Sequence, residues 1–333
     1  MKMFHLKFLC CLLLFLNAVT LILILSKKNT QHEDYRKYKY TLGVLCYFRN
    51  EGHIIHEWLM HHQAWGIEHI WLIDNGSEDD YCIDSYIKDG FVTMHFEPSM
   101  TQIASYEKYL DEISKQVHWL AVIDMDEFLY SKICHDLKKV IQNEVSASTS
   151  IIKIQCKLFS PSTFLSPRST IESNIYSSGA DHPLLCKCIF NLQLPVKVSL
   201  HGYNSFTRTI PAENPYFQIN HYRFGSIEFL YGIKEKRGGG MQRKRYQNMY
   251  SLNQMLRQTI KIDSFLRDHS AEVIAKCKHR RPKIELYPES TFHAFYKLYP
   301  EVFQLWKAHE NHLTPEQLLG LVYLFDELKK NNP

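Results

Sequence analysis

Residues 118–130 are His-Trp-Leu-Ala-Val-Ile-Asp-Met-Asp-Glu-Phe-Leu-Tyr, and the fold prediction starts from them. Its apolar run, residues 119–123, ends in two β-branched side chains, which predicts a strand buried on both faces, as in a parallel sheet. The run stops at three acids, Asp124, Asp126 and Glu127. Because side chains at i and i+2 of extended backbone point the same way, we expect Asp124 and Asp126 to project together from the end of a central strand.

The pair Asp124 and Asp126 predicts a cation site. Two carboxylates about 5 Å apart repel each other by roughly 3 kcal/mol at an effective dielectric constant of 20, so a raised pKa or a bound cation must compensate. Hard oxygen ligands suit Mg²⁺ or Mn²⁺, and open α/β sheets bind ligands at the carboxyl ends of their strands. The alternative is a polar strand end that faces water without a ligand.

Length and composition allow one large domain with a substantial core. The chain has 333 residues, of which 45% are apolar and 22% charged. Its formal net charge of +4 is too small to indicate a nucleic-acid partner. The odd number of cysteines outside residues 1–28, without any Cys-x-x-Cys, argues against a zinc site or a dense disulfide framework.

The N-terminus predicts a membrane anchor, residues 1–28, followed by a polar tether, residues 29–40. Residues 8–25 carry no charge, and eighteen helical residues span about 27 Å, close to a bilayer core. No small-residue cleavage site follows, which favours an anchor over a signal peptide. The lysine and arginine excess after the helix favours a cytoplasmic domain, whereas a short N-terminal tail is usual for luminal enzymes. Localisation therefore stays open between the secretory pathway or Golgi lumen of a eukaryote and the cytoplasmic face of a bacterial inner membrane.

The rest of the chain predicts an α/β fold with a mostly parallel sheet flanked by helices. The predicted catalytic domain covers residues 41–245, and an α-rich part, residues 246–333, packs on it. Apolar spacing indicates a helix over residues 245–276, and a capping box at Thr314 begins another. The alternating elements in chain order are strand 41–48, helix 51–65, strand 69–73, helix 80–89, strand 90–96, helix 105–116 and the strand that ends at Asp124.

Polar side chains end three of these strands, which predicts one polar crevice. They are Asn50 and Glu51 after the first strand, Asp74 after the second and the acids at Asp124. Asp74 and the following Asp79 suit hydrogen bonds from a ribose or a base, although Asn-Gly after Asp74 is also an ordinary turn signal. The chain has no Gly-x-Gly-x-x-Gly and no Walker loop, so we expect the cation to hold the phosphates.

A series of short motifs follows one order along the chain. They are Arg49-Asn50-Glu51, Glu57-Trp58-Leu59, His61-His62, Asp74-Asn75-Gly76-Ser77, Asp124-Met125-Asp126-Glu127-Phe128, and Asn-His-Tyr-Arg-Phe-Gly-Ser-Ile-Glu-Phe at 220–229. The series resembles the GT-A glycosyltransferases, in particular family 92 and the related family 2-like group. The chain departs from the resemblance at residues 224–227, where a basic residue and a second acid are expected.

The resemblance implies a GT-A-like fold and roles for particular residues. Asp124 and Asp126 would form the metal-binding Asp-x-Asp motif, with His221 as a later ligand of Mn²⁺ or Mg²⁺. Lys187 and His201 match the lysine and histidine of the family's middle segment. The donor-binding residues would then be Asn50, Glu51, Asp74, Asp79 and Lys187.

The predicted function is transfer of a hexose from a nucleoside-diphosphate donor to a hydroxyl of a glycan or glycoconjugate, with inversion; the resemblance implies galactose from UDP. An inverting transfer needs a base near the acceptor, for which Glu228 and Asp181 are the candidates. Residues 234–245 form a basic loop that either closes over the diphosphate or is a solvated connection. Two other hypotheses remain, a membrane-tethered protein that binds sugar nucleotides without turnover and a metal-dependent nucleotidyl or phosphoryl transferase.

Overall fold

The structure is a computed structural model that describes residues 37–163, 166–180, 186–199, 208–226, 229, 234 and 261–277. The predicted anchor, residues 1–28 with the uncharged span 8–25, lies outside these ranges, as do residues 278–333 with the predicted capping box. Every helix in the described ranges is too short or too polar to cross a bilayer.

Twelve strands are described, and they form two sheets. In chain order they are β1 Tyr40–Phe48, β2 His69–Asp74, β3 Val92–Phe96, β4 Val117–Val122, β5 Glu127–Tyr130, β6 Ile151–Ile154, β7 Cys156–Phe159, β8 Tyr176–Ala180, β9 Lys187–Asn191, β10 Thr209–Ile210, β11 Gln218–His221 and β12 Lys261–Ile262.

The larger sheet has β4 near its centre, in the order β10-β6-β9-β4-β1-β2-β3. The pairs β4–β1, β1–β2 and β2–β3 are parallel, whereas β9 is antiparallel to both β4 and β6. All six residues of β4 are buried, as a strand with neighbours on both sides and covered faces requires. The predicted α/β fold with a parallel sheet is therefore confirmed for β1 to β4, and β9 makes the complete sheet mixed.

A second sheet, in the order β12-β8-β7-β11-β5, was not predicted. Its pairs are antiparallel except for β11–β7. The described strands of this sheet are only two to five residues long, too short to show a clear hydrophobic period in the sequence. The chain leaves the larger sheet at Val122 and enters the second at Glu127, so the acids lie in the connection between the sheets.

Three of the described helices correspond to the predicted helices of the α/β part. In chain order the helices are α1 Ile55–Ala64, α2 Asp84–Lys88, α3 Gln102–Ser114, α4 Leu137–Glu144, α5 Thr170–Ser173, α6 Phe265–Asp268 and α7 Ala271–Cys277. α1 and α2 start four residues later than predicted, whereas α3 starts three residues earlier, because the Thr101 hydroxyl caps it by accepting from Ala104 N at 3.4 Å.

The first part of the predicted helix over residues 245–276, residues 245–260, lies outside the described ranges, and the prediction is wrong at β12. Lys261 and Ile262 pair with Ser177 and Tyr176 of β8 instead. Apolar residues two apart, Ile260 and Ile262, fit a strand as well as a helix, so the pattern alone did not discriminate. Helices α6 and α7 follow, which agrees with the helical character predicted for this part of the chain.

One cluster of buried side chains reaches both sheets. It includes Val44 and Trp119 of the larger sheet and Phe128 and Ile219 of the second. Helix α1 packs on this cluster, and the indole of its Trp58 donates to the carbonyl of Glu127 at 2.8 Å. The cluster and α1 therefore hold the two sheets together beside the connection that carries the acids.

Candidate active site

The acids lie in a turn rather than at the end of a strand. β4 stops at Val122, and the amide of Glu127 donates to the carbonyl of Asp124 at 3.1 Å, which closes the turn. The prediction that Asp124 and Asp126 project together from extended backbone is therefore wrong. The physical reason is that the chain must change direction here to pass from one sheet to the other. Each carboxylate consequently meets its own set of partners.

Asp124 faces Lys187. The Lys187 ammonium lies 2.6 Å from Oδ2, and the amide nitrogen of Gln102 donates to Oδ1 at 3.2 Å. Antiparallel pairing of Cys188 with Val122 brings the start of β9 to this point. Burial would raise the pKa of the Asp124 carboxyl, but the Lys187 ammonium outweighs burial and the pKa is lowered. Lys187 is 3% exposed, so its ammonium neutralises the turn from inside the fold.

Glu127 braces the same turn. Its Oε2 accepts from the amide of Asp124 at 2.8 Å and lies 3.3 Å from the Lys187 ammonium, while the side chain is 2% exposed. Burial raises the pKa of Glu127. Burial would lower the pKa of Lys187, but Asp124 and Glu127 together raise it well above its ordinary value. Glu127 was not among the predicted site residues, although its place as the third acid of the stretch was a usable signal.

Asp126 meets two basic side chains. Antiparallel pairing sets His221 of β11 opposite Glu127, and the His221 Nε2 lies 3.5 Å from Asp126 Oδ1. The ammonium of Lys234 lies 2.7 Å from Oδ2. Burial would raise the pKa of Asp126, but Lys234 and His221 outweigh it and the pKa falls well below its ordinary value. Asp126 is therefore ionised and surrounded by positive or polar groups.

Asp126, Glu127 and His221 together could hold a divalent cation. One ligand atom from each lies within 4.8 Å of the others. Two carboxylates with one imidazole suit Mn²⁺ better than Mg²⁺. The residues present therefore fit the predicted cation. The predicted ligands were Asp124, Asp126 and His221, whereas this group contains Glu127 in place of Asp124.

The predicted nucleotide contact Asp74 organises the turn after β2. Its Oδ1 accepts from the amide of Ser77 at 2.8 Å and from the Ser77 hydroxyl at 2.7 Å. Its Oδ2 accepts from the hydroxyl of Tyr81 at 2.8 Å, and the residue is 3% exposed. The carboxylate thus shapes the loop from within, and its contact with a nucleotide stays a prediction.

The loops after β1 and β2 are joined by the other predicted donor-binding residues. Asn50, which has a φ of 53°, accepts through Oδ1 from the amide of Glu78 at 2.7 Å. Asp79 accepts from the amide of Gly52 at 2.7 Å. The buried Glu51 accepts through its carbonyl from Ile54 and Ile55 at 3.0 Å, just before α1. Since β1 lies next to β4 and β2 lies two strands from it, the two loops are about 5 Å and about 10 Å from the acidic turn along the same sheet edge.

Several predicted residues lie outside the described ranges. They are the candidate bases Glu228 and Asp181, the middle-segment His201 and the basic loop after Lys234. Their roles stay predictions. Conversely, Gln102 and Glu127 contact Asp124, and neither residue was predicted from the sequence to belong to the site.

Comparison with known proteins gives the family. The family model described as glycosyltransferase family 92 matches residues 43–264, two thirds of the chain. The chain belongs to glycosyltransferase family 92. The resemblance inferred from the motifs is thereby confirmed, and the matched segment contains the acidic turn, Lys187, His221 and Lys234.

Curated members of family 92 match shorter parts of the chain. A family 92 protein of Ricinus communis is 29% identical over 125 residues, which cover 36% of this chain and 23% of that protein. A family 92 protein of Arabidopsis thaliana is 24% identical over 181 residues, covering 50% of this chain and 32% of that protein. The chain thus matches about a quarter to a third of the length of these relatives.

Solved structures show weaker similarity. S. aureus TarS in complex with UDP-GlcNAc has a TM-score of 0.36 at 12% identity, with 72% of this chain and 71% of that chain covered. GalNAc-T7 with UDP, GalNAc and Mn²⁺ has a TM-score of 0.35 at 13% identity, with 73% and 58% covered. Both TM-scores are too low to support a conclusion about this chain.

Proposed function

We propose that this family 92 member moves a hexose from a nucleoside-diphosphate donor to a hydroxyl of a glycan or glycoconjugate, in a reaction that needs a divalent cation. Family membership over residues 43–264 supports the class of reaction. The convergence of Asp126, Glu127 and His221 at the connection between the sheets is the observation that carries the cation requirement. Galactose from UDP is the first donor to test, because the motif resemblance implies it.

The chain's own residues have distinct tasks in this proposal. A bound Mn²⁺ or Mg²⁺ would supply Lewis-acid stabilisation for the departing diphosphate. Asp126, Glu127 and His221 would hold the cation, and Lys187 would keep the turn in place by neutralising Asp124 and Glu127. The loops around Asp74 would hold the nucleoside, about 10 Å away along the sheet edge.

Three finer points belong to the proposal. Inversion at the transferred sugar requires a base near the acceptor, and Glu228 and Asp181 are its candidates. Residues 8–25 anchor the protein in a membrane. Residues 29–40 then connect this anchor to the catalytic part.

The test uses full-length protein in detergent with a panel of labelled nucleotide sugars, beginning with UDP-galactose. We expect Mn²⁺-dependent donor hydrolysis, or transfer to a suitable acceptor, that is lost in excess chelator. Asp126→Asn should lower this rate roughly 100-fold. Asp111→Asn is the matched control, because Asp111 is exposed and pairs only with Lys115 on the surface of α3 in the described part of the chain. It should leave the rate within about twofold of the wild type.

The products separate the proposal from its two alternatives. Release of nucleoside diphosphate with free or transferred sugar supports the glycosyltransferase. Release of sugar-1-phosphate instead would support a nucleotidyl or phosphoryl transferase. Donor binding with no product under any condition would support a sugar-nucleotide-binding protein without turnover, an alternative motivated by the departure from the family pattern at residues 224–227.

A further inference from the structure

Lys234 is bound to the acid that the proposed cation also needs. Its ammonium lies 2.7 Å from Asp126 Oδ2, and the two side chains are 15% and 12% exposed. The same ammonium donates to the carbonyl of Arg223 and lies 5.7 Å from the centre of the Phe229 ring. The Asp126 carboxylate, the Arg223 carbonyl and the Phe229 ring therefore fix the position of the Lys234 ammonium.

An ammonium and a divalent cation are incompatible on this oxygen. An ammonium has three donors and no lone pair, so it cannot act as a ligand. Two cations held a few ångströms apart in a partly buried site also repel each other strongly. His221, near the other oxygen of Asp126, presents an acceptor nitrogen when neutral and can stay as a ligand. A divalent cation that binds this oxygen would therefore displace Lys234, whereas His221 could stay.

The second lysine of the site is less able to move. The Lys187 ammonium contacts two carboxylates, Asp124 at 2.6 Å and Glu127 at 3.3 Å, and its side chain is 3% exposed. Lys234 contacts one carboxylate and is more exposed. Of the two lysines at the acids, Lys234 is thus the exchangeable one.

We propose that Lys234 is an exchangeable counterion, which holds Asp126 until a divalent cation replaces it and then binds the diphosphate of the donor. The inference rests on the proposed function for its ligand, a nucleoside diphosphate. A diphosphate supplies several charged oxygens, so it offers the displaced ammonium a new partner beside the cation. One lysine would then serve as the counterion before cation binding and as a donor-binding group afterwards.

The test measures cation and nucleotide binding to the full-length protein. Mn²⁺ affinity is measured without nucleotide from the electron paramagnetic resonance signal of free Mn²⁺, and UDP affinity by calorimetry at saturating Mn²⁺. In Lys234→Met we expect about tenfold tighter Mn²⁺ binding and about tenfold weaker UDP binding. Lys276→Met is the matched control for loss of one positive charge, because Lys276 pairs with Glu272 on the surface of α7 with 60% of its side chain exposed. Both affinities should stay within about twofold of the wild type in this control.

Two further variants, Lys234→Arg and Lys234→Gln, separate the effect of the charge from a loss of folding. Lys234→Arg retains the positive charge and should bind Mn²⁺ as the wild type does. Lys234→Gln replaces Lys234→Met if the latter has lost the wild-type thermal unfolding transition. Unchanged or weaker Mn²⁺ affinity in a folded neutral variant overturns the exchange, as does a lack of Mn²⁺ binding by both wild type and variant. Unchanged UDP affinity overturns the role in donor binding.

Neither measurement uses sugar transfer, so the two proposals can fail separately. A wild type that transfers sugar, with no change of Mn²⁺ affinity in the variant, overturns the exchange alone. If the variant shows the expected changes in Mn²⁺ and UDP affinity but the wild type releases no product, the glycosyltransferase proposal alone is overturned.

Discussion

The ammonium of Lys187 lies 2.6 Å from Asp124 and 3.3 Å from Glu127, with 3% of its side chain exposed. Bringing the charges of Lys187 and Glu127 out of water is costly, and the attraction between them and to the partly exposed Asp124 offsets the cost only while all three are present. Glu127 is also the acceptor for the Asp124 amide at 2.8 Å. At the scale of single residues, the shape of the acidic turn therefore depends on this one buried lysine.

Removing the Lys187 charge should destabilise the fold strongly. We expect Lys187→Met to lower the free energy of unfolding by about 3–5 kcal/mol, because two carboxylates lose their shared counterion. Urea denaturation at pH 7 measures this change. Lys138→Met is the control, since Lys138 pairs with Glu68 at 3.1 Å with both side chains about one third exposed, and it should cost about 0–1 kcal/mol. Equal losses in both variants would contradict the counterion role of Lys187.

Two buried histidines connect helix α1 to β5 of the second sheet. His62 donates from Nδ1 to the carbonyl of Trp58 at 2.8 Å, and its Nε2 accepts from the amide of Leu129 at 3.3 Å. The His61 Nε2 donates to the carbonyl of Leu129 at 2.8 Å. Burial lowers the pKa of His61 well below its ordinary value and that of His62 to about 3. Both rings are therefore neutral in the folded protein, and this element connects stability to pH.

The stability of the protein should fall as the pH decreases from about 6.5. The folded pKa values of His61 and His62 lie below the value of the unfolded chain, so the unfolded state binds more protons in this range. Their contribution is complete above pH 6.5 and is lost towards the folded pKa, by up to about 1.4 kcal/mol per pH unit for each histidine. Urea denaturation at pH 7.5, 6.5 and 5.5 measures the slope.

The variant His62→Gln isolates this effect. The slope of its unfolding free energy against pH should be smaller by the equivalent of about one bound proton, whatever its stability at pH 7.5. Glu57 and Glu127 have raised pKa values owing to burial, and their contribution has the opposite sign. The comparison between wild type and variant cancels it. Equal slopes in the two proteins would show that His62 takes up its proton in the folded state as well.

The whole described molecule shares one core across two sheets. Phe128 of β5 is fully buried, and its ring centre lies 5.1 Å from that of His61 on α1 and 5.3 Å from that of Tyr222. The cluster that contains Phe128 also includes Val44 and Trp119 of the larger sheet. Neither sheet can lose its packing without exposing the other, so the two are expected to unfold together.

Truncation at this position should therefore weaken both sheets at once. We expect Phe128→Ala to lower the free energy of unfolding by about 3–5 kcal/mol. Transitions followed by tryptophan fluorescence and by near-ultraviolet circular dichroism should still coincide in wild type and variant. Phe96→Ala is the control, because Phe96 is 62% exposed, and it should cost less than about 0.5 kcal/mol. Separate transitions for the two probes would contradict a shared core.

Elements that depend on local pattern could be predicted from the sequence alone. These are the buried run of β4, the parallel strands β1 to β3, the helices α1 and α3 and the position of the acids after β4, which all follow from residues close together in the chain. The ordered motifs likewise indicated family 92 before any comparison. Local pattern suffices here because burial of a strand or a helix face leaves its period in consecutive residues.

The contacts of each acid became visible only in the folded chain. Lys187 lies 63 residues from Asp124 in the chain, and Lys234 lies 108 residues from Asp126. The second sheet brings His221 to Glu127 through short strands that leave no periodic pattern. Contacts between residues so far apart depend on how the sheets pack, and the packing of the sheets cannot be predicted from the spacing of residues in the sequence. The acidic turn could thus be located from the sequence, but the two lysines that balance its charge could be identified only in the folded chain.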